Sequence, residues 1–174
     1  MNAPPVNTAA RWFNLMVLTC LLQFAGLACA GTITGRVVGV TDGDTITVLD
    51  AENAQHKIRL AGIDAPEKKM PFGQRSKEQL SDLVFSKQVE VETGKIDRYG
   101  RSVGVIFVNG RDANLAMVNA GLAWHYKQYQ KEQTASDRLL YAHAEEQARL
   151  GRIGLWRDNY PTPPWDYRKG QRGN

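Results

Sequence analysis

Thr32-Ile-Thr-Gly-Arg-Val-Val-Gly-Val-Thr41 and Asp44-Thr-Ile-Thr-Val-Leu49, joined through Asp42-Gly43, decide the fold of this chain. Both runs are rich in β-branched residues, and the second alternates Ile46 and Val48 with Thr45 and Thr47. Asp-Gly between two such runs signals a hairpin, the glycine accepting positive φ and the aspartate bonding its own backbone. A third run, His56 to Gly62, puts Ile58 and Leu60 on one face and Arg59 on the other, so Arg59 leaves the core. Between Phe72 and Phe85 the spacing of Leu80, Leu83 and Val84 becomes helical, and strands resume at Gln88–Glu92 and Val103–Val108. Asp112 then caps a short helix carrying Leu115, Val118 and Leu122. Ser136 or Asp137 opens a longer one with Leu140, Ala144 and Ala148, ended by Gly151 and Gly154. This order predicts an α+β fold, a five-stranded, partly closed β-barrel of the oligonucleotide-binding type with three α-helices packed on it.

The two ends read differently. Residues 1–30 carry Arg11 as their only charge, an apolar run from Trp12 to Leu27 and the small-residue site Ala28-Cys29-Ala30, as a cleaved secretory signal peptide does. The alternatives are an uncleaved membrane anchor and a lipoprotein site at Cys29, against which Gly26 stands where leucine is wanted. Export to the periplasm or medium is therefore expected, with a single barrel domain over residues 31–158. Residues 159–174, with Pro161, Pro163, Pro164 and a basic finish, lack periodicity and are expected to be extended or frayed. Both cysteines, Cys20 and Cys29, fall in the leader, which excludes a disulfide or thiolate metal site from the exported domain. Loss of Arg11 lowers the net charge from +4 to +3, a mild bias toward polyanions.

Three polar clusters stand out from this frame. Asp42-Gly43-Asp44-Thr45 is by itself a turn, and it lacks the twelve-residue pattern of an EF-hand. Asp64-Ala65-Pro66-Glu67 follows a strand, and Pro66 holds Ala65 extended, fixing the directions of the Asp64 side chain and the Ala65 carbonyl. Asp97-Arg98-Tyr99-Gly100-Arg101 is a charged turn before the last strand. Jointly they supply what metal-assisted phosphodiester hydrolysis needs: two carboxylates for a hard cation, a third to activate water and two guanidinium groups to clamp a phosphate. His56, His125 and His143 lack zinc-site spacing, so no catalytic histidine is expected. Trp124, Tyr126 and Tyr129 offer either a base-stacking wall or core aromatics.

D-G-D-T at Asp42, R-L-A-G-I-D-A-P-E at Arg59, D-R-Y-G-R at Asp97 and G-L-A-W at Gly121, in this order and spacing, resemble the thermonuclease (staphylococcal nuclease-like) family over Thr32 to Trp156. The resemblance implies a barrel with three helices and Ca²⁺-dependent endonucleolytic cleavage of RNA and of DNA, preferably single-stranded. It places the calcium ligands on Asp44, Asp64 and the carbonyl of Ala65, and the catalytic trio on Arg59, Glu67 and Arg101. Arg98 and Tyr99 fall on positions that contact a neighbouring phosphate, Arg98 replacing the founding member's lysine. One of the family's two base-facing tyrosines is replaced by Lys127, which leaves Tyr129.

Few ligands imply weak calcium affinity, on the order of 10⁻⁴ to 10⁻³ M as in extracellular modules. DNA and RNA are the expected partners, with no obligate protein partner and a monomeric state. The rival readings are a non-catalytic barrel that binds nucleic acid and a membrane-tethered interaction protein using the proline-rich tail.

Overall fold

In the computed structural model, which describes residues 31–172, the opening runs form β1 (Gly31–Asp42) and β2 (Thr45–Leu49). They are joined by a two-residue turn, Gly43-Asp44, with Asp42 paired to Thr45. The turn therefore lies one residue later than the Asp-Gly signal suggests. Gly43 does not have positive φ. Its requirement is steric: a Cβ there would overlap Ser76 Oγ and stand 2.8 Å from the Ala65 Cβ. β3 (Gln55–Leu60) pairs antiparallel with β2. Gly62, at φ 72°, turns the chain into the two-residue β4 (Ile63–Asp64).

Helix α1 (Gly73–Val84) buries Leu80 and Val84 against the barrel, and β5 (Gln88–Ile96) and β6 (Ser102–Val108) follow. The first six residues of β1 pair with β5 and its later part with β2, with register shifts near Gly39 and Thr41 that bend the strand. A parallel pairing of β3 with β6 closes the cylinder. Thus β1, β2, β3, β5 and β6 make the expected five-stranded barrel, and β7 (Arg111–Asp112) adds a short edge to β6.

Asn114 secures the closure. Its Nδ2 donates to the carbonyls of Ala61 at 3.0 Å and Gly104 at 3.1 Å, while its Oδ1 accepts from the Ile106 N–H at 3.2 Å. Asn114 belongs to α2 (Ala113–Asn119), whose N-terminus is capped by Asp112 as expected, but Leu122 lies beyond its end. β8 (Trp124–His125) pairs with β4, Asp64 opposite Trp124. A short 3₁₀ turn (Lys127–Glu132) leads to α3 (Ala135–Leu150). Thr134, not Ser136 or Asp137, caps α3, accepting the Asp137 N–H at 3.1 Å; Asp137 instead supplies the acidic first turn.

Ile46, Val48, Ile58, Leu60, Val91 and Ile106 fill the barrel, and Met117, Val118 and Tyr141 extend the core toward α2 and α3. Each buried aliphatic side chain of this kind contributes about 1.5–3 kcal/mol. A second apolar cluster joins Trp124, Ala148, Leu155 and Trp156, with Trp165 against it.

Trp165 comes from the segment the sequence reading leaves extended. After a 3₁₀ turn (Gly154–Arg157), Pro164–Arg172 forms a fourth helix, α4. Pro164 occupies the first helical position, where its missing N–H costs nothing. Asp166 in the first turn and Lys169 and Arg172 in the last suit the helix dipole. The leader and anchor readings of residues 1–30 lie outside the described residues. Among those described, no helix is long and apolar enough to cross a membrane.

Candidate active site

Asp44, Arg59 and Asp64 meet where the β1–β2 turn, β3 and β4 come together. Arg59 stands opposite Thr45 on β2 and beside Val103 on β6, so two neighbouring strands fix its backbone. The Asp44 carbonyl accepts the Leu60 N–H at 2.9 Å, which ties the hairpin turn to the end of β3. Gly43 lets that turn press against Ser76, whose Oγ donates to the Leu122 carbonyl at 2.7 Å. The G-L-A-W segment, α1 and the turn thus support one another behind the site.

Arg59 spans two carboxylates, with Nη1 3.0 Å from Asp44 Oδ2 and Nη2 2.8 Å from Asp64 Oδ1. The Asp44 carboxylate also accepts the Ala65 N–H at 2.8 Å on Oδ2 and the Thr45 hydroxyl at 3.1 Å on Oδ1. Asp64 has no exposed surface. Burial raises its pKa, while hydrogen bonds from Arg168 and the charge of Arg59 oppose that rise. Asp42 is pushed up to about 6, first by burial and then by the neighbouring Asp44 charge.

Glu67 lies beyond Pro66 in a turn closed by the Met70 N–H on the Glu67 carbonyl at 2.8 Å. Its side chain is 38% exposed. It is joined to Asp64 by a residue the sequence reading missed. Arg168 of α4 donates from Nη2 to Asp64 Oδ2 at 2.6 Å, and from Nη1 to Asp64 Oδ1 at 3.3 Å and Glu67 Oε1 at 2.8 Å. The pKa of Arg168 is lowered by burial but raised more strongly by these two carboxylates, so it is fixed as a cation. A signal for it exists in the sequence: Pro164 at a helix start, then Trp165 and Arg168 one turn apart on one face.

Arg101 is not drawn into this group. Its Nε and Nη2 each lie 2.7 Å from Asp97 Oδ2, and its backbone N–H donates to Asp97 Oδ1 at 3.0 Å. Burial raises the Asp97 pKa, but hydrogen bonds from Arg101 and Tyr99, together with the Arg101 charge, outweigh it and leave the carboxyl below its ordinary value. Tyr99 is 67% exposed, with the Arg98 and Arg101 guanidinium carbons 4.9 and 5.4 Å from its ring centre. The turn is therefore a cationic, aromatic face before β6. Tyr129 is 44% exposed, with Lys95 Nζ 5.0 Å from its ring centre, and it packs edge-on to Tyr126 at 5.1 Å. Trp124 is a core residue in T-shaped contact with Trp156 at 4.3 Å.

Among the described residues, no three His, Cys, Asp or Glu side chains converge as a metal cage. The donor chemistry still fits a hard divalent cation. Asp44 and Asp64 already share one cationic group between them, and their oxygens with the Ala65 carbonyl would be its protein ligands.

Residues 57–158 match the family described as Staphylococcal nuclease homologue. The chain is 45% identical over 163 residues to a Haemophilus influenzae protein named as an uncharacterized endonuclease, covering 92% of this chain and 88% of that one. It is 39% identical to a Shigella flexneri micrococcal nuclease, with 79% and 82% of the two chains covered. It is also 44% identical to the Arabidopsis thaliana staphylococcal-like nuclease CAN1, where the match covers 67% of this chain and 34% of that longer protein. With the barrel, the carboxylate pair and its bridging arginine in place, the chain belongs to the staphylococcal nuclease homologue family.

Proposed function

We propose that this chain is an exported, Ca²⁺-dependent nuclease that hydrolyses phosphodiester bonds of RNA and of DNA, preferably single-stranded, by in-line attack of water. The observation that carries the reading is the convergence of Asp44 and Asp64 on one guanidinium, with Glu67 bridged to Asp64 beside them. Asp44, Asp64 and the Ala65 carbonyl would hold Ca²⁺, which would supply Lewis-acid stabilisation of the phosphoryl oxygens. Glu67 would accept the proton of the attacking water. Arg59 and Arg101 would hold the equatorial oxygens, planar forks being suited to a charge that grows in the transition state. Arg101 would exchange Asp97 for phosphate in doing so. Arg98, Tyr99 and Tyr129 would contact the neighbouring phosphate and base. The apolar leader and its Ala28-Cys29-Ala30 site support export, which the mature N-terminus of the natural protein would test.

The test of the activity incubates the purified protein with single-stranded DNA and with RNA, in calcium or chelator, beside Glu67→Ala and Arg101→Ala proteins. Calcium-dependent cleavage that falls by two or more orders of magnitude in both variants is expected. Equal degradation by all three proteins would overturn the assignment. Calcium-independent retention of nucleic acid without cleavage would favour a non-catalytic binding barrel instead.

A further inference from the structure

The proposed metal ligand Asp64 carries a guanidinium on each oxygen, Arg59 on Oδ1 at 2.8 Å and Arg168 on Oδ2 at 2.6 Å. An arginine has five donors and no lone pair, so it cannot ligate a metal ion itself, and its charge competes with the ion for the same carboxylate. A divalent cation that takes Asp64 as ligand comes within contact distance of these two positive charges, and its binding is opposed by whichever of them stays in place.

The two arginines are held differently. Arg59 is embedded in a barrel strand hydrogen-bonded on both sides, and its side chain is 14% exposed. Arg168 rides on a nine-residue helix and is 34% exposed. That helix is docked through Trp165, which stacks on Tyr126 at 5.4 Å and 11° and meets Trp124 edge-on at 5.5 Å. The helix borders a groove of about 450 Å³ lined by Glu67, Lys68, Lys69, Tyr167, Arg168 and Arg172. Arg168 thus lies between the buried Asp64 and an open basic groove, and it is the more exposed of the two arginines on that carboxylate.

We infer that α4 is a cationic latch: Arg168 occupies the carboxylate centre until a divalent ion displaces it, so the helix sets the affinity for that ion. The inference rests on the metal reading of Asp44 and Asp64. It assigns a role to Arg168, which lies beyond the stretch, ending at Trp156, whose motifs carry the family resemblance. Arg168 and the ion need not exclude each other from the whole site, since Glu67 Oε1 remains as a partner for Nη1 once Asp64 is released.

Calorimetric titration with CaCl₂ tests it on the purified protein and on its Arg168→Ala, Arg168→Lys, Arg172→Ala and Asp44→Asn variants. Removing the competing charge at contact distance should tighten calcium binding about tenfold in Arg168→Ala. Arg172→Ala, a loss of the same charge from the same helix, should change it less than about twofold because an exposed charge is screened. The Arg168→Lys protein should fall between, keeping charge without the fork. Hydrogen exchange gives an independent readout: amides 165–172 should exchange faster in saturating calcium than in chelator. Calcium binding that is lost in Asp44→Asn yet unaltered or weakened in Arg168→Ala would overturn the latch and leave the metal reading standing. Calcium-insensitive exchange of α4 would likewise overturn the latch. Absence of calcium binding in every protein would remove the metal reading, and the latch with it.

Discussion

Asp44 Oδ2 accepts the backbone N–H of Ala65 at 2.8 Å, a bond across twenty-one residues that locks the β1–β2 turn to the segment leaving β4. The same oxygen faces Arg59 at 3.0 Å. One carboxylate therefore serves both the shape of the site and its charge balance, and the two duties separate under substitution.

Asp44→Asn keeps an oxygen for the Ala65 N–H but leaves Arg59 short of one charge partner. Asp44→Ala removes both. Urea denaturation should find Asp44→Ala destabilised by about 2–4 kcal/mol, because a largely buried cation and a backbone N–H are left unpaired, and Asp44→Asn by roughly half as much. Equal stability of the two variants would mean that the Ala65 bond contributes nothing.

Arg59→Lys separates charge from geometry. A single ammonium cannot span Asp44 and Asp64 as Nη1 and Nη2 do at 3.0 and 2.8 Å. Cleavage of single-stranded DNA should fall about 100-fold or more, in line with the loss of one preorganised donor. Initial rates alongside a denaturation midpoint would check this, and a rate within a few-fold of the parent would refute the need for a fork.

Gly43→Ala tests why the turn needs glycine. The backbone there is not left-handed, so strain in φ predicts no penalty. The added methyl would overlap Ser76 Oγ and crowd the Ala65 Cβ at 2.8 Å. Overpacking of this kind costs about 1–3 kcal/mol. Gly43→Ala combined with Ser76→Gly should recover part of that loss, whereas additive losses would point away from the clash.

The barrel was legible because its strands obey a period of two and its turns carry strong punctuation. Ile58 and Leu60 are buried and Arg59 faces the site, as alternation requires. Boundaries were less legible. Asp-Gly predicts the turn, yet the pairing of Asp42 with Thr45 places it at Gly43-Asp44, and no local pattern reports the packing of Gly43 against Ser76 thirty-three positions away. The tail is hard to read for a related reason. Its prolines argue against helix interior, but Pro164 sits at the first helical position, and α4 is stabilised by Trp165 docking on Tyr126, a tertiary contact. The sequence carries a signal for the helix that bears Arg168, but the contact of Arg168 with Asp64 depends on that docking. Arg101 shows the converse: its place in D-R-Y-G-R was plain, but its side chain is engaged by Asp97 four residues earlier.

Asp112 gives a pH dependence away from the site. It caps α2 by accepting the Leu115 N–H at 2.9 Å on Oδ1 and takes the Tyr141 hydroxyl at 2.6 Å on Oδ2, joining α2 to α3. Burial raises its carboxyl pKa above the ordinary value, more than the hydrogen bonds from Tyr141 and Leu115 lower it. With the folded value raised, the unfolded chain loses its proton first as pH rises. Stability from this group is therefore greatest below the unfolded carboxyl's pKa, near 3.9, and declines as pH climbs toward the raised folded value, above which the contribution is flat. Asp112→Asn keeps an acceptor for the cap and cannot ionise, so the stability difference between parent and variant should shift in the variant's favour across that window. Urea unfolding of both proteins in steps from pH 3.5 to neutrality measures it, and a difference that is constant with pH would show that Asp112 titrates alike in the folded and unfolded chains.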